Sequence, residues 1–217
     1  VADVGNFKAT TVEANACGST EETELKGTPA VDPIVMTKNN ATGVWSYELA
    51  DYSAYKYYKY EIVNNGTTYY VCDIHAKAAS PDSIAAQLVD INADTDYGTK
   101  ENYVNPFGNS GETQKSYADA VIYEMHIRDW AKAFDGEGKF IELAESEKFI
   151  AHLKEMGITH VQVVPMFDYA QVNSDKNYNW GYNPYHYNVP EGRYVKDMKD
   201  GMDAVKQLRQ FIKALHD

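Results

Sequence analysis

The period of apolar and polar positions changes part-way along the chain. In the first half, short β-favouring runs, TVEANAC (11–17), PIVMT (33–37), VWSYEL (44–49), YKYYKYEIV (55–63) and TTYYVC (67–72), are separated by Gly, Asn and Pro. That spacing predicts a β-sandwich of immunoglobulin-like type. Tyr58, Tyr60 and Ile62 alternate with Lys59 and Glu61, which predicts one apolar and one wet face. Asn64-Asn65-Gly66 supplies the positive-φ residues of a tight hairpin. Between about 73 and 116 the pattern weakens into Pro-, Asp- and Asn-rich chain, so the domains are expected over 1–115 and 116–217.

In the second half, VIYEMHI (121–127) is a nearly continuous apolar run of the kind found in parallel sheets covered on both faces. Phe149, Ile150, Leu153 and Met156 then follow helical spacing, with Gly157 placed to stop the helix. THVQVVP (159–165) reads as a β-branched strand, and Met202, Val205, Leu208, Ile212 and Leu215 as a second amphipathic helix. Strand, helix, strand, loop, helix is the order of two βα units, expected in an α/β sheet or barrel. A closed (β/α)8 barrel takes about 250 residues, so these units predict an incomplete barrel.

Charge and composition narrow the function classes. With 20 Lys+Arg against 32 Asp+Glu, a formal −12, the chain would repel a phosphate backbone, which argues against a nucleic-acid partner. No apolar run approaches the roughly 20 residues of a membrane-spanning helix, so no membrane partner is expected. Cys17 and Cys72 are too few for a disulfide framework and too far apart for a CxxC pair, which leaves extracellular and cytoplasmic settings equally open. The six histidines show no HxxxH or Cys–His spacing, so no metal site is expected from them, and His126 reads as a satisfied core histidine.

Residues 177–194, NYNWGYNPYHYNVPEGRY, gather Tyr178, Trp180, Tyr182, Tyr185, Tyr187 and Tyr194 in one predicted loop after a strand end. Barrel enzymes build their sites at such positions. An aromatic ring can stack on the apolar C–H face of a pyranose while Asn and His bond its hydroxyls. An aromatic mini-core that stiffens the loop is the plainer alternative.

The string YNWGYNP closely resembles the YNWGYDP signature of type I pullulanases, debranching members of the α-amylase superfamily, glycoside hydrolase family 13. IYEMHIRDW (122–130) is similar to that family's first barrel strand, GITHVQVVPMFD (157–168) to its second and YNVPEGRY (187–194) to the loop after it. TGVWSYEL, YYKYEI and CDIHAKAAS resemble the family-48 carbohydrate-binding sandwich that precedes such barrels, with Ile74 and His75 standing where Pro-Tyr is usual. The resemblance implies a sandwich module followed by the first βα units of a (β/α)8 TIM barrel.

It also implies roles. Tyr182 is similar to the ring that stacks under the glucose next to the cleaved bond, and Trp180 and Gly181 would shape its loop. Asn183 replaces the family's Asp and keeps its size without its charge. Tyr178 and Asp168 are candidate substrate contacts, although Asp168 also reads as a loop-anchoring acceptor. Lys59 resembles a glucan-contacting position of some family-48 modules; an exposed edge-strand charge is the alternative. Asp129, beside Arg128, reads as ion-paired or helix-capping.

A retaining glycosidase needs two carboxylates about 5 Å apart. The resemblance implies that these lie on later barrel strands, beyond Asp217, so no catalytic residue is assigned here and the chain alone is expected to be inactive. Relatives often bind calcium, but no ligand set is readable, and no cofactor is assigned. The expected partners are an α-glucan such as pullulan, glycogen or starch limit dextrin, together with the rest of a barrel or a second copy. The rival readings are a non-catalytic α-glucan-binding or scaffold protein, and another debranching or branching enzyme of the superfamily.

Overall fold

A ten-residue run rich in Tyr, Ile and Val, Tyr55–Asn64, forms the middle of an antiparallel sheet, in a computed structural model that describes residues 4–13, 34–50, 55–91, 117–170 and 176–217. Of the predicted strands, 14–17 and residue 33 lie outside the described residues, as does 92–116, where the predicted domain boundary falls. The chain divides into two compact units, Val1–Val89 and Asp90–Asp217.

In the first unit the strand order is β2 (Ile34–Val35), β1 (Val4–Glu13), β5 (Tyr55–Asn64), β6 (Thr67–Val71), and β7 (Ala86–Gln87) also pairs with β5. β5 and β6 form the predicted hairpin, with Asn64 opposite Thr67 and both turn residues, Asn65 (φ 49°) and Gly66 (φ 76°), left-handed. Thr37–Lys38 (β3) and Trp45–Ser46 (β4) make a separate two-stranded pair, so the 44–49 run is strand only at two positions.

The expected faces of β5 are reversed. Tyr57 is fully buried and Glu61 is 7% exposed, while Tyr58, Tyr60 and Ile62 are only half-buried. The hydroxyls of Tyr58 and Tyr60 both donate to the Asp73 carboxylate, at 2.6 and 3.2 Å. Burial pushes both phenols up, Tyr60 to about 12, and the Asp73 charge adds to it. A tyrosine is both apolar and polar, so alternation of Tyr with Lys does not fix which face is inside. Lys59 lies opposite Thr10 on this central strand and is half-buried, not on the edge.

In the second unit β8 (Ile122–Met125) runs parallel to β9 (His160–Val163), in register from Ile122↔His160 to Met125↔Val163. The crossover between them carries α1 (Ile127–Ala133), α2 (Phe140–Ala144) and α3 (Glu147–Glu155). The apolar run therefore leaves the sheet at His126. Only Met125 of β8 is buried and Ile122 is 61% exposed, so the strand is not covered on both faces as its composition predicts.

Helix α3 starts on Ser146, whose hydroxyl accepts from the Phe149 N–H at 3.2 Å. It ends in a Schellman closure, Gly157 N–H to Lys154 O and Ile158 N–H to Leu153 O, as the position of Gly157 predicts. Helix α4 (Gly201–His216) starts in a capping box between Asp200 and Asp203. Phe140, Leu143, Phe149, Tyr194 and Phe211 fill the core between these elements, each apolar side chain contributing about 1.5–3 kcal/mol. Among the described residues no helix is long and apolar enough to cross a membrane.

Candidate functional site

After β9 the chain makes an antiparallel pair, β10 (Phe167–Tyr169) with β11 (Pro184–Pro190), in which Asp168 faces His186. The 177–194 stretch is therefore not one loop, as its composition predicts, but a connection followed by a strand and a 3-10 turn, Gly192–Tyr194. Proline at both ends of β11 and a β-favouring interior suit a short paired strand.

Gly181 fixes the approach of the aromatic segment to this pair. Its φ is +83°, and a Cβ there would lie 2.8 Å from the Pro165 carbonyl oxygen and 3.3 Å from the Tyr169 ring. Only glycine fits such a conformation without strain. Its N–H is held by the Asn179 side chain at 2.8 Å. On either side Trp180 (60% exposed) and Tyr182 (68%) stand in solvent. Asn183 is exposed at its side chain and accepts the Ala170 N–H through its backbone carbonyl at 3.0 Å.

Tyr178 leads into the pair. Its hydroxyl donates to Asp129 at 2.8 Å, its ring meets the His126 ring at 5.2 Å, and the Arg128 guanidinium lies 5.5 Å above it. Burial pushes the Tyr178 phenol up to about 12, with the Asp129 bond adding to it. Trp180 stands edge-on to Tyr178 at 5.8 Å. Asp129 thus serves a tyrosine, whereas its expected partner Arg128 bonds the Asn177 carbonyl at 3.2 Å. Of the six aromatics, Tyr194 alone is core (2% exposed), while Tyr178, Tyr185 and Tyr187 are exposed yet pack on the rings of His126, His186 and Phe167 at 5.2, 4.4 and 4.9 Å, as the aromatic mini-core reading expects.

Asp168 is buried, 4% exposed, with its carboxylate 3.0 Å from His186 Nδ1. Burial pushes the His186 imidazole down. Lys59 belongs to the other unit. His126 is not within a strand but at the N-terminus of α1, its Nε2 3.0 Å from the Tyr194 hydroxyl and 3.1 Å from the Asn179 carbonyl.

The sequence pattern did not mark Glu191, which is fully buried. Its carboxylate accepts the backbone N–H of Tyr169 at 3.1 Å and of Arg193 at 2.8 Å. Burial pushes it up to about 7, against those two hydrogen bonds and the Arg193 charge, which lower it. Arg193 in turn donates to the Tyr169 hydroxyl at 3.2 Å and to the Asn177 carbonyl at 2.5 Å. The one sequence sign of this was an acid enclosed by Pro190 and Gly192. Among the described residues no three His, Cys, Asp or Glu side chains converge as a candidate metal site.

No protein-family model matches the chain. The pullulanase of Bacillus subtilis strain 168 is 39% identical over 113 residues, 45% of this chain and 16% of that protein. The pullulanase of Klebsiella aerogenes is 27% identical across 83% of this chain and 23% of its own length. The solved pullulanase of Anoxybacillus sp. LM18-11 superposes with a TM-score of 0.76 at 27% identity, over 98% of this chain and 29% of that one.

The chain is type I pullulanase-like.

The type I pullulanase of B. subtilis strain 168 complexed with maltose agrees at a TM-score of 0.75 and 26% identity, over 99% of this chain and 28% of that one. The Anoxybacillus enzyme complexed with maltotetraose gives 0.73 at 26%, over 97% and 30%. A rice isoamylase, isoamylase 3, is 32% identical across 46% of the pullulanase-like chain and 14% of its own length. This chain spans between 14% and 23% of the length of these curated relatives.

Proposed function

We propose that this chain belongs to an α-glucan debranching hydrolase, in which a family-48-type β-sandwich over 1–115 precedes the first βα units of a (β/α)8 barrel over 116–217. The reaction is hydrolysis of α-1,6-glucosidic bonds with retention through a covalent glucosyl–enzyme intermediate. Its two carboxylates are assigned to other parts of the enzyme, a reading supported by the hydrogen bonds of Asp129 to Tyr178 and of Asp168 to His186. What the chain contributes is a glucan-binding wall.

The observation that supports this best is the exposed pair Trp180 and Tyr182, held by Gly181 on β10 in a chain whose relatives are pullulanases solved with maltose and maltotetraose. Tyr182 would stack under the sugar beside the scissile bond, with Tyr178, Trp180 and Asn183 lining the approach. Asp168 would hold β11 in place beneath them, and Lys59 would meet glucan on the sandwich. The open face of β8, with Ile122 exposed, suits the rest of a barrel or a second copy of the chain.

Calorimetric titration of the purified chain with maltotetraose tests the binding half. Tyr182→Ala is expected to weaken affinity about tenfold, the loss of one ring-to-sugar stack. Unchanged affinity would remove the platform role. Pullulan incubated with the same chain should yield no reducing ends, and turnover would overturn the placement of the carboxylates elsewhere. The isoamylase match keeps another debranching specificity as the second reading, which comparison of pullulan with glycogen on the longer enzyme separates.

A further inference from the structure

The aromatic segment 177–182 is clamped at both ends by groups that converge on one buried carboxylate. Glu191 Oε2 accepts the backbone N–H of Tyr169, the residue whose ring lies against Gly181. Glu191 Oε1 accepts the backbone N–H of Arg193, whose guanidinium holds the Asn177 carbonyl and the Tyr169 hydroxyl and stacks 5.7 Å from the Tyr169 ring. The Glu191 N–H itself donates to Met166 O, just ahead of β10. One side chain therefore joins β10 to the 3-10 turn and, through Arg193, to the start of the aromatic segment. We propose that Glu191 is a positioning residue whose ionised carboxylate sets the placement of Trp180 and Tyr182.

An ionised carboxylate is a pure acceptor and satisfies both N–H groups; a protonated one turns an oxygen into a donor and must release or weaken one of them. The groups facing Glu191 are Asp168 and Tyr169 from β10, Arg193 and Tyr194 from the 3-10 turn, and Lys139 ahead of α2. Burial and Asp168 favour its neutral form, Arg193 and the two backbone N–H groups its charged form, and the balance places its titration at about 7. The clamp is thus set above neutrality and loosened below it. That the platform's ligand is a glucan rests on the function proposed above; the positioning does not.

The test follows the Trp180 indole N–H resonance of the 217-residue chain from pH 5.5 to 8.5, assigned with Trp180→Phe, alongside maltotetraose affinity. In the wild type the resonance is expected to move with a midpoint near that of the Glu191 carboxyl carbon, and affinity to fall about tenfold on acidification, as for loss of a charge-assisted bond. In Glu191→Gln both responses should disappear. A resonance that stays still in the wild type, or still titrates in Glu191→Gln, overturns the inference. If Glu191→Gln does not fold, the wild type decides: coincident carboxyl and indole midpoints support the inference and separate midpoints refute it. A pH-responsive indole without maltotetraose binding would keep the positioning role and sink the glucan reading.

Discussion

Gly181 and Glu191 act on the same few ångströms of backbone in opposite ways, one by having no side chain and the other by burying a charged one. Gly181→Ala forces a Cβ against the Pro165 carbonyl at a φ of +83°, so a loss of about 1–3 kcal/mol is expected in chemical unfolding, with the aromatic segment displaced. The Glu191 carboxyl rises from 4.5 to about 7 on folding, so the folded chain binds this proton more tightly than the unfolded one. Stability from this group is therefore full below pH 4.5 and declines as pH rises to about 7, by about 3 kcal/mol. Unfolding curves of wild type and Glu191→Gln across that window should differ by this slope; parallel curves would contradict the burial argument. Gly181 was legible through the resemblance of YNWGYNP to the family signature, which implied a loop-shaping glycine there, and glycine alone accepts such a close approach without strain. Glu191 was not, because burial of an acid is a property of the neighbours that fold over it.

At the scale of elements, local signals transferred well where one residue carries the geometry. Asn65-Gly66 turns the β5–β6 hairpin, Gly157 closes α3, and the spacing from Met202 to Leu215 became α4. The Asp200 side chain accepts the Met202 N–H at 2.9 Å, so Asp200→Ala should cost about 1 kcal/mol in thermal unfolding with little change in the fold. Legibility failed where two faces compete. In β5, tyrosines at 55, 57, 58 and 60 occupy both sides, and pairing with β7 at Tyr57 and Tyr58, not hydropathy, accompanies burial of Tyr57. The β11 strand was hidden for a related reason: its partner, β10, is only three residues long, and the Asp168–His186 contact that marks the pair joins positions 18 residues apart.

For the whole molecule, the described residues hold a five-stranded antiparallel sheet in one unit and a two-stranded parallel pair with its crossover helices in the other. Parallel strands are ordinarily covered on both faces, yet Val121 and Ile122 are exposed. Concentration-dependent self-association of the chain is therefore expected in light scattering after gel filtration, and Ile122→Lys should reduce it. A monomer at every concentration would show that this face tolerates water as it stands.

Residue chemistry and local spacing were enough to determine the change from strand to βα periodicity, the Asn65-Gly66 turn, the helix stop at Gly157, and an aromatic segment bearing the pullulanase-like motif. These depend on groups within a few residues of one another, where backbone preferences act directly. Tertiary structure decided the inward face of β5, the diversion of Asp129 to Tyr178, the commitment of Asp168 to His186 and the burial of Glu191 against the backbone of Tyr169 and Arg193. Each is a competition between partners distant in the chain, settled by which of them packing brings within hydrogen-bond reach and which it leaves to water.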